Sequence, residues 1–170
     1  MTTLYLARHG ETEDNVNRIM QGQTQGRLTG NGLRQAAALR DRLRDARIDA
    51  IVASDLRRAI DTAAVVATPR GMTVETTPLL RERDWGSFTG RFIPSLRDEP
   101  WPDDIESLDA LKARAASFME WLTGRWPGMA VLAVGHGIIN KAVQAVYFGK
   151  PMSEIPRMEN AEVRILELAR

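Results

Sequence analysis

Histidine occurs only twice in the chain, at His9 and His136, and both stand in the same setting. Each closes a short apolar run, Thr3-Leu4-Tyr5-Leu6-Ala7 for the first and Met129 to Val134 for the second, and each is trailed by a glycine, Gly10 or Gly137. Such runs read as buried strands that stop at a polar turn. If the two strands lie centrally and parallel, the imidazoles stand side by side at one edge of a sheet. A lone histidine is ordinarily a packed or surface residue, but two at equivalent strand ends and none elsewhere point to a site. The trailing glycines would let the backbone come close to a ligand. A zinc site fits poorly, because the chain has no cysteine and no His-Glu-x-x-His. Arg8, beside His9, would also repel a cation. The pair points to an anion instead.

Arg58 supports that reading. The segment Ser54-Asp55-Leu56-Arg57-Arg58-Ala59 opens a helix straight after a strand, so its amides and dipole face the same sheet edge. Neighbouring helix residues point apart, and Arg57 suits an exposed position. The run Arg40, Arg42, Arg44 and Arg47, broken by Asp41 and Asp45, reads as a solvated helix face. All basic residues except Lys112, Lys141 and Lys150 are arginine. Coding bias accounts for most of that imbalance, although arginine is also the better fork for phosphate.

The elements that must position these groups alternate between strand and helix. After the first strand, a helix runs from Gly32 to Ala46 with Thr29 or Asn31 as its cap. A strand covers Ile48 to Ala53, and Ser54 then caps a helix from Asp55 to about Ala67, stopped by Pro69. Thr73 to Thr77 is a weaker strand, and residues 90 to 104, with Pro94, Pro100 and Pro102, form an irregular excursion. A long helix spans Leu108 to Trp126, the strongest strand is Met129 to Val134, a helix follows from Ile138 to Phe148, and Ala161 to Leu168 is a final strand. This order implies an α/β fold of three layers, α/β/α, around a mostly parallel sheet. Sites in such sheets lie beyond the carboxyl ends of the strands.

Composition narrows the rest. A chain of 170 residues with 44% hydrophobic and 26% charged residues suits one folded domain over 1–170 and excludes a disordered chain. No apolar run approaches the roughly 20 residues of a membrane span. Met1 to Tyr5 carry neither a basic start nor an apolar stretch, so a cytoplasmic address is expected. A net charge of +1 and 6% aromatic residues argue against nucleic acid and membrane surfaces as partners. A monomer and a homodimer both remain open.

Five ordered blocks resemble the histidine phosphatases, the phosphoglycerate mutase-like superfamily, over almost the whole chain. They are Leu6-Ala7-Arg8-His9-Gly10-Glu11-Thr12 with Asn15; Gln21-Gly22 with Leu28-Thr29, Gly32 and Gln35-Ala36; Ser54 to Ala59 with Thr62-Ala63; Leu80-Arg81-Glu82 with Gly86 and Gly90; and Val134-Gly135-His136-Gly137. The resemblance implies that His9 attacks phosphorus and becomes phosphohistidine. It implies that Arg8, Arg58 and His136 surround the phosphoryl oxygens, while Asn15, Gln21 and the backbone at Gly22 and Gly137 hold the phosphate or its neighbours. Glu82 would protonate the leaving alcohol and later activate water. No metal and no cofactor are implied. The chain departs from the pattern at Thr89, where a glutamate usually precedes the glycine, and at Gly135, where serine is common.

Among functions, a metal-independent phosphatase acting on a small phosphomonoester comes first. A phosphomutase must shield its phosphoenzyme from water, and the excursion at 90–104 is short for a lid. Its Arg91, Phe92, Arg97 and Trp101 are either substrate contacts or a plain surface loop. A non-catalytic phosphoester-binding module would tend to lack His9, Glu82 or His136, and all are present. Sugar phosphates, phosphoglycerates, nucleotides, α-ribazole phosphate and phosphoprotein all remain as substrates.

Overall fold

In the computed structural model, which describes residues 1–169, five strands form one sheet in the order β3-β2-β4-β1-β5. The strands are β1 (Thr2–Arg8), β2 (Ala50–Ser54), β3 (Val74–Thr77), β4 (Ala130–Gly135) and β5 (Val163–Leu168). All neighbours run parallel except β5, which pairs antiparallel to β1. The central β4 is buried along its whole length, as expected of a parallel strand covered on both faces.

The covering layers follow from alternation along the strands. Leu4 and Leu6 of β1 and Val131 and Ala133 of β4 pack with Leu111, Phe118 and Leu122 of α4 (Leu108–Arg125) and Ile139 and Val143 of α5 (Gly137–Phe148). Ala7, Leu132 and Val134 point the other way, onto Leu39 of α2 (Gly30–Arg42) and Ala59, Ala63 and Val66 of α3 (Arg57–Ala67). The expected three layers are present. No helix among the described residues is long and apolar enough to cross a membrane.

Several boundaries differ from the sequence reading. Thr29, not Asn31, caps α2 by accepting from the Gly32 amide, and the helix stops at Arg42 instead of Ala46. Its tail unwinds because the Arg70 guanidinium takes the carbonyls of Leu43 and Ala46. Ser54 is not a helix cap: it is the last residue of β2, α3 begins after Leu56 without a side-chain cap, and the hydroxyl has another partner. The short helix α1 (Glu13–Asn17), closed by a reciprocal Thr12–Asn15 capping box, was not expected, since it is polar and buries none of its residues. The last strand starts at Val163, because Ala161 takes a left-handed φ of 60°.

Residues 90–104 are irregular, as expected, but they are pinned. Arg91 pairs with Glu99, and Trp101 meets Trp85 edge-on at 5.4 Å with the Arg83 guanidinium over both rings.

The turn after β1 lies backbone to backbone on the first turn of α2. A Cβ on Gly10 would stand 2.5 Å from the Gly32 carbonyl oxygen, and one on Gly32 would stand 2.1 Å from that of Glu11. Gly10 is therefore needed for packing against α2. Gly30, two residues earlier on the same helix, would meet nothing nearer than 3.6 Å. Gly32→Ala should cost about 1–3 kcal/mol or more through forced backbone displacement. Gly30→Ala should be neutral or slightly stabilising. Urea unfolding of the two variants checks this, and equal midpoints would contradict the packing described.

Candidate active site

The site begins with strand register. Arg8 pairs with Gly135 across β1 and β4, so the next residues, His9 and His136, leave the sheet together at its carboxyl edge. Their ring centroids are 5.0 Å apart and both rings are buried. Burial and the nearby Arg58 and Arg8 push the His9 imidazole down to about 3, against the pull of its backbone bond. Burial holds His136 well below the ordinary imidazole value, with Arg58 and His9 adding to the effect. Both rings are neutral near pH 7.

Their partners differ. His9 Nδ1 lies 2.7 Å from the Gly10 carbonyl oxygen, which can only accept, so Nδ1 carries the proton and Nε2 keeps its lone pair. His136 Nε2 lies 2.6 Å from Ser54 Oγ, and that oxygen already accepts from the Leu56 amide at 3.3 Å. Ser54 is fully buried, and Nε2 is the only acceptor its hydroxyl proton meets among the described residues, so that proton goes to Nε2 and the ring proton sits on Nδ1. That Nδ1 is buried and has no partner.

Two guanidinium groups complete the cluster. Arg58, 1% exposed, donates to the carbonyls of Gly22, at 2.8 Å, and of Thr24. Arg8, 7% exposed, donates to the Met158 carbonyl at 2.8 Å. The Nε of each is buried without a partner, and neither pairs with a carboxylate among the described residues. Burial lowers Arg58 to about 10, opposed in part by Glu82 and Asp14, and burial also lowers Arg8, so both remain cations at neutral pH. Arg57 points outward and bonds Asp61 at 3.2 Å, as expected.

Glu82 reaches the first turn of α5. Its Oε1 accepts from the amides of Arg83 at 2.9 Å, Ile138 at 3.2 Å and Ile139 at 2.9 Å, while Oε2 takes only the Ile138 amide, at 3.1 Å. Oε2 is the oxygen with capacity for a proton. Arg114 holds the preceding loop by donating to the carbonyls of Leu79 and Arg81 and pairing with Glu106.

The sequence-derived residues Arg8, His9, Asn15, Gln21, Gly22, Arg58, Glu82 and Gly137 all line one cleft of about 370 Å³, with His136 buried against His9. Asn15 Oδ1 accepts from the Thr12 amide at 3.0 Å and Gln21 Oε1 from the Thr12 hydroxyl at 2.9 Å, leaving their NH₂ groups as the donors for the cleft. Of the excursion only Ile93 reaches the lining, so Arg91, Phe92, Arg97 and Trp101 are not cleft residues.

Sequence reasoning missed the supports. Thr62 accepts from the Gly10 amide and donates to the Arg58 carbonyl. Asn160 donates to the His9 carbonyl at 3.1 Å, and the Met158 carbonyl anchors Arg8. The last two contacts cross about 150 residues and leave no local signal. Lys141, three residues beyond Ile138 on α5, and Arg157 also line the cleft. Helical spacing could have marked the first. No group of three or more potential metal-ligating side chains forms among the described residues.

A family model described as the histidine phosphatase superfamily (branch 1) matches residues 4–170. The probable phosphoglycerate mutase GpmB of Proteus mirabilis (strain HI4320) is 44% identical over 165 residues, covering 89% of this chain and 77% of that protein. Among solved structures, YhfR of Bacillus stearothermophilus superposes with a TM-score of 0.88 at 33% identity, over 99% of this chain and 92% of that one. A mycobacterial glucosyl-3-phosphoglycerate phosphatase with VO3 superposes with a TM-score of 0.89 at 30% identity, over 97% and 92%.

The two neutral rings set a pH dependence of stability. Unfolded, each imidazole takes a proton near pH 6.5; folded, His9 refuses it until about pH 3 and His136 until well below its ordinary value. The unfolded state therefore binds more protons in that window. Stability from this source is complete above about pH 6.5 and falls as pH drops, by up to about 1.4 kcal/mol per pH unit for each ring. Urea midpoints should be level from pH 8 to 7 and fall between pH 6 and 4.5, with a shallower fall in His9→Gln. A level response down to pH 5 would mean that the folded rings are charged.

Proposed function

The chain belongs to the histidine phosphatase superfamily, branch 1, and on that premise we propose that it is a metal-independent phosphomonoesterase acting on a small phosphorylated metabolite through a phosphohistidine on His9. One observation carries the reading. Three buried donor atoms without partners, Arg8 Nε, Arg58 Nε and His136 Nδ1, belong to the residues clustered around the imidazole that keeps its Nε2 lone pair. Desolvated cations without a counter-charge are costly unless an anion completes them, and a phosphoryl group supplies oxygens for all three.

The reaction follows from these atoms. His9 Nε2 attacks phosphorus as the bond to the leaving oxygen breaks, and the oxygen takes the proton from Glu82 Oε2. The imidazole gains positive charge, which the Gly10 carbonyl stabilises through Nδ1–H. Arg8, Arg58 and His136 Nδ1–H meet the charge on the equatorial oxygens. Water then attacks phosphorus, giving its proton to the Glu82 carboxylate. The P–N bond breaks, Nε2 recovers its lone pair, and inorganic phosphate leaves.

The relatives named as probable phosphoglycerate mutases favour a second reading, in which another substrate hydroxyl replaces water. Hydrolysis is preferred because the segment at 90–104 offers the cleft only Ile93, while Trp101 packs on Trp85 and is 59% exposed. A mutase needs closure that excludes water. The binding-module reading loses ground because every reacting group is present and aligned.

Mixing with a phosphomonoester and quenching in alkali should trap an acid-labile phosphohistidine. It should be absent in His9→Gln, and phosphate release should persist after exhaustive chelation. Appearance of the phosphate on a second substrate molecule rather than in solution would establish the mutase reading instead.

Glu82→Gln tests the proton donor. An alkyl ester releases a basic alkoxide that needs the proton, whereas a nitrophenyl ester releases an anion stable on its own. Single-turnover phosphorylation by alkyl esters should slow by roughly 10²–10⁴-fold, and by nitrophenyl esters far less. Equal losses would make Glu82 a positioning residue only.

A further inference from the structure

Beyond the groups assigned to phosphorus, the cleft is lined by two more cations, Lys141 and Arg157, and by the apolar side chains of Ile19, Met20, Trp85 and Ile93. Lys141 lies one helical turn past Ile138 on α5, so both side chains share the face that bounds the cleft. Arg157 directly precedes Met158, whose carbonyl holds Arg8, and it is near enough to Arg8 to lower that group's pKa. The nearby arginines Arg81, Arg114 and Arg164 are each paired, with Asp55, Glu106 and Glu162. Lys141 and Arg157 are paired with no carboxylate among the described residues. Glu159 and Glu162 also act on Arg8, but neither lines the cleft.

Charge balance then says something about the substrate. The lining holds four cations, Arg8, Arg58, Lys141 and Arg157, and its one carboxyl group, Glu82, meets the substrate as the protonated acid. A phosphomonoester dianion offsets two of the four charges, and its reacting end engages the buried arginines. The remaining surplus sits on Lys141 and Arg157, away from any internal partner. A neutral alcohol portion would leave both without an anion.

We propose that the substrate is a small phosphomonoester whose alcohol portion carries a second anionic group, a carboxylate or a second phosphate, held by Lys141 and Arg157 with its carbon skeleton against Ile19, Met20 and Ile93. This rests on the phosphomonoester reading. It excludes simple sugar monophosphates and other esters with an uncharged tail as preferred substrates.

Phosphonates, whose C–P bond the chemistry above does not cleave, test binding apart from turnover. Calorimetry on the full chain would compare butylphosphonate, 4-carboxybutylphosphonate and butane-1,4-bisphosphonate. At least one of the two charged-tail ligands should bind about tenfold more tightly than butylphosphonate, the gain expected of one charge-assisted contact. Whichever binds better tells carboxylate from phosphate. The advantage should shrink with added salt, and the affinity ratio should fall towards one in the Lys141→Gln/Arg157→Gln double variant. Equal affinities for all three ligands would overturn the proposal, as would a ratio unchanged in the double variant. Failure of even butylphosphonate to bind, with no turnover of phenyl phosphate, would overturn the phosphoester reading itself.

Discussion

Two buried guanidinium groups without a counter-carboxylate are the constraint around which the site is built. Desolvating a cation costs several kcal/mol, and an internal Asp or Glu is the usual remedy. Here the remedy is backbone oxygen: Gly22 and Thr24 for Arg58, Met158 for Arg8. Carbonyls orient the forks without neutralising them. The positive field therefore persists and adds to burial in keeping both imidazoles uncharged. A carboxylate in the same place would quench that field and compete with any anion entering the cleft. The one acid in the cleft, Glu82, is engaged by α5 amides instead of by an arginine.

Holding such a cluster requires stiff elements on every side. Three adjacent parallel strands end within one residue of each other in register, at Arg8, Gly135 and Ser54, and each contributes to the site at or just past its end. The turn after β1 cannot drift, because Gly10 and Gly32 bring its backbone against α2 and the Gly10 amide is tied to Thr62. The loop that presents Glu82 is held by Arg114. The arginine forks, the imidazoles and the acid thus come from different segments with few soft joints between them, which is what preorganised charge stabilisation needs.

How much of this was legible depended on whether the information was local. Paired histidines after apolar runs, and an arginine early in a helix, are short-range patterns, and they led to residues that the fold brings together. The strand order and the antiparallel β5 were not readable, although the edge character of Val163-Arg164-Ile165-Leu166-Glu167-Leu168 shows in its alternation once seen. Ser54 misled because a serine after a strand and before a helix looks like a cap, yet its hydroxyl serves a ring 82 positions away. The two departures from the family pattern become intelligible only in space. A Cβ on Gly135 would stand 2.2 Å from Asn140 Oδ1, whose amide nitrogen bonds the Ala7 carbonyl, so a serine there would need Asn140 to move. A Cβ on Gly22, the residue whose carbonyl orients Arg58, would stand 3.1 Å from the Thr89 hydroxyl oxygen.

The division of labour between the two histidines shows why residue type alone does not settle a role. Both rings end buried strands, both are neutral, and both feel Arg58. They differ in one atom of their surroundings. A carbonyl can only accept, so Gly10 fixes the proton of His9 on Nδ1 and leaves a nucleophilic lone pair. A hydroxyl can donate, and Ser54 Oγ, buried with no other acceptor for its proton among the described residues, gives that proton to His136 Nε2. That leaves His136 with a donor where His9 has a lone pair. Exchanging the partners would exchange the properties: a carbonyl facing His136 Nε2 would turn its buried Nδ1 from a donor into a lone pair, which repels an anion. The chemistry of the cluster therefore rests on the tautomer each neighbour imposes, with burial, helped by the arginines, holding both rings in the neutral form that makes the distinction count.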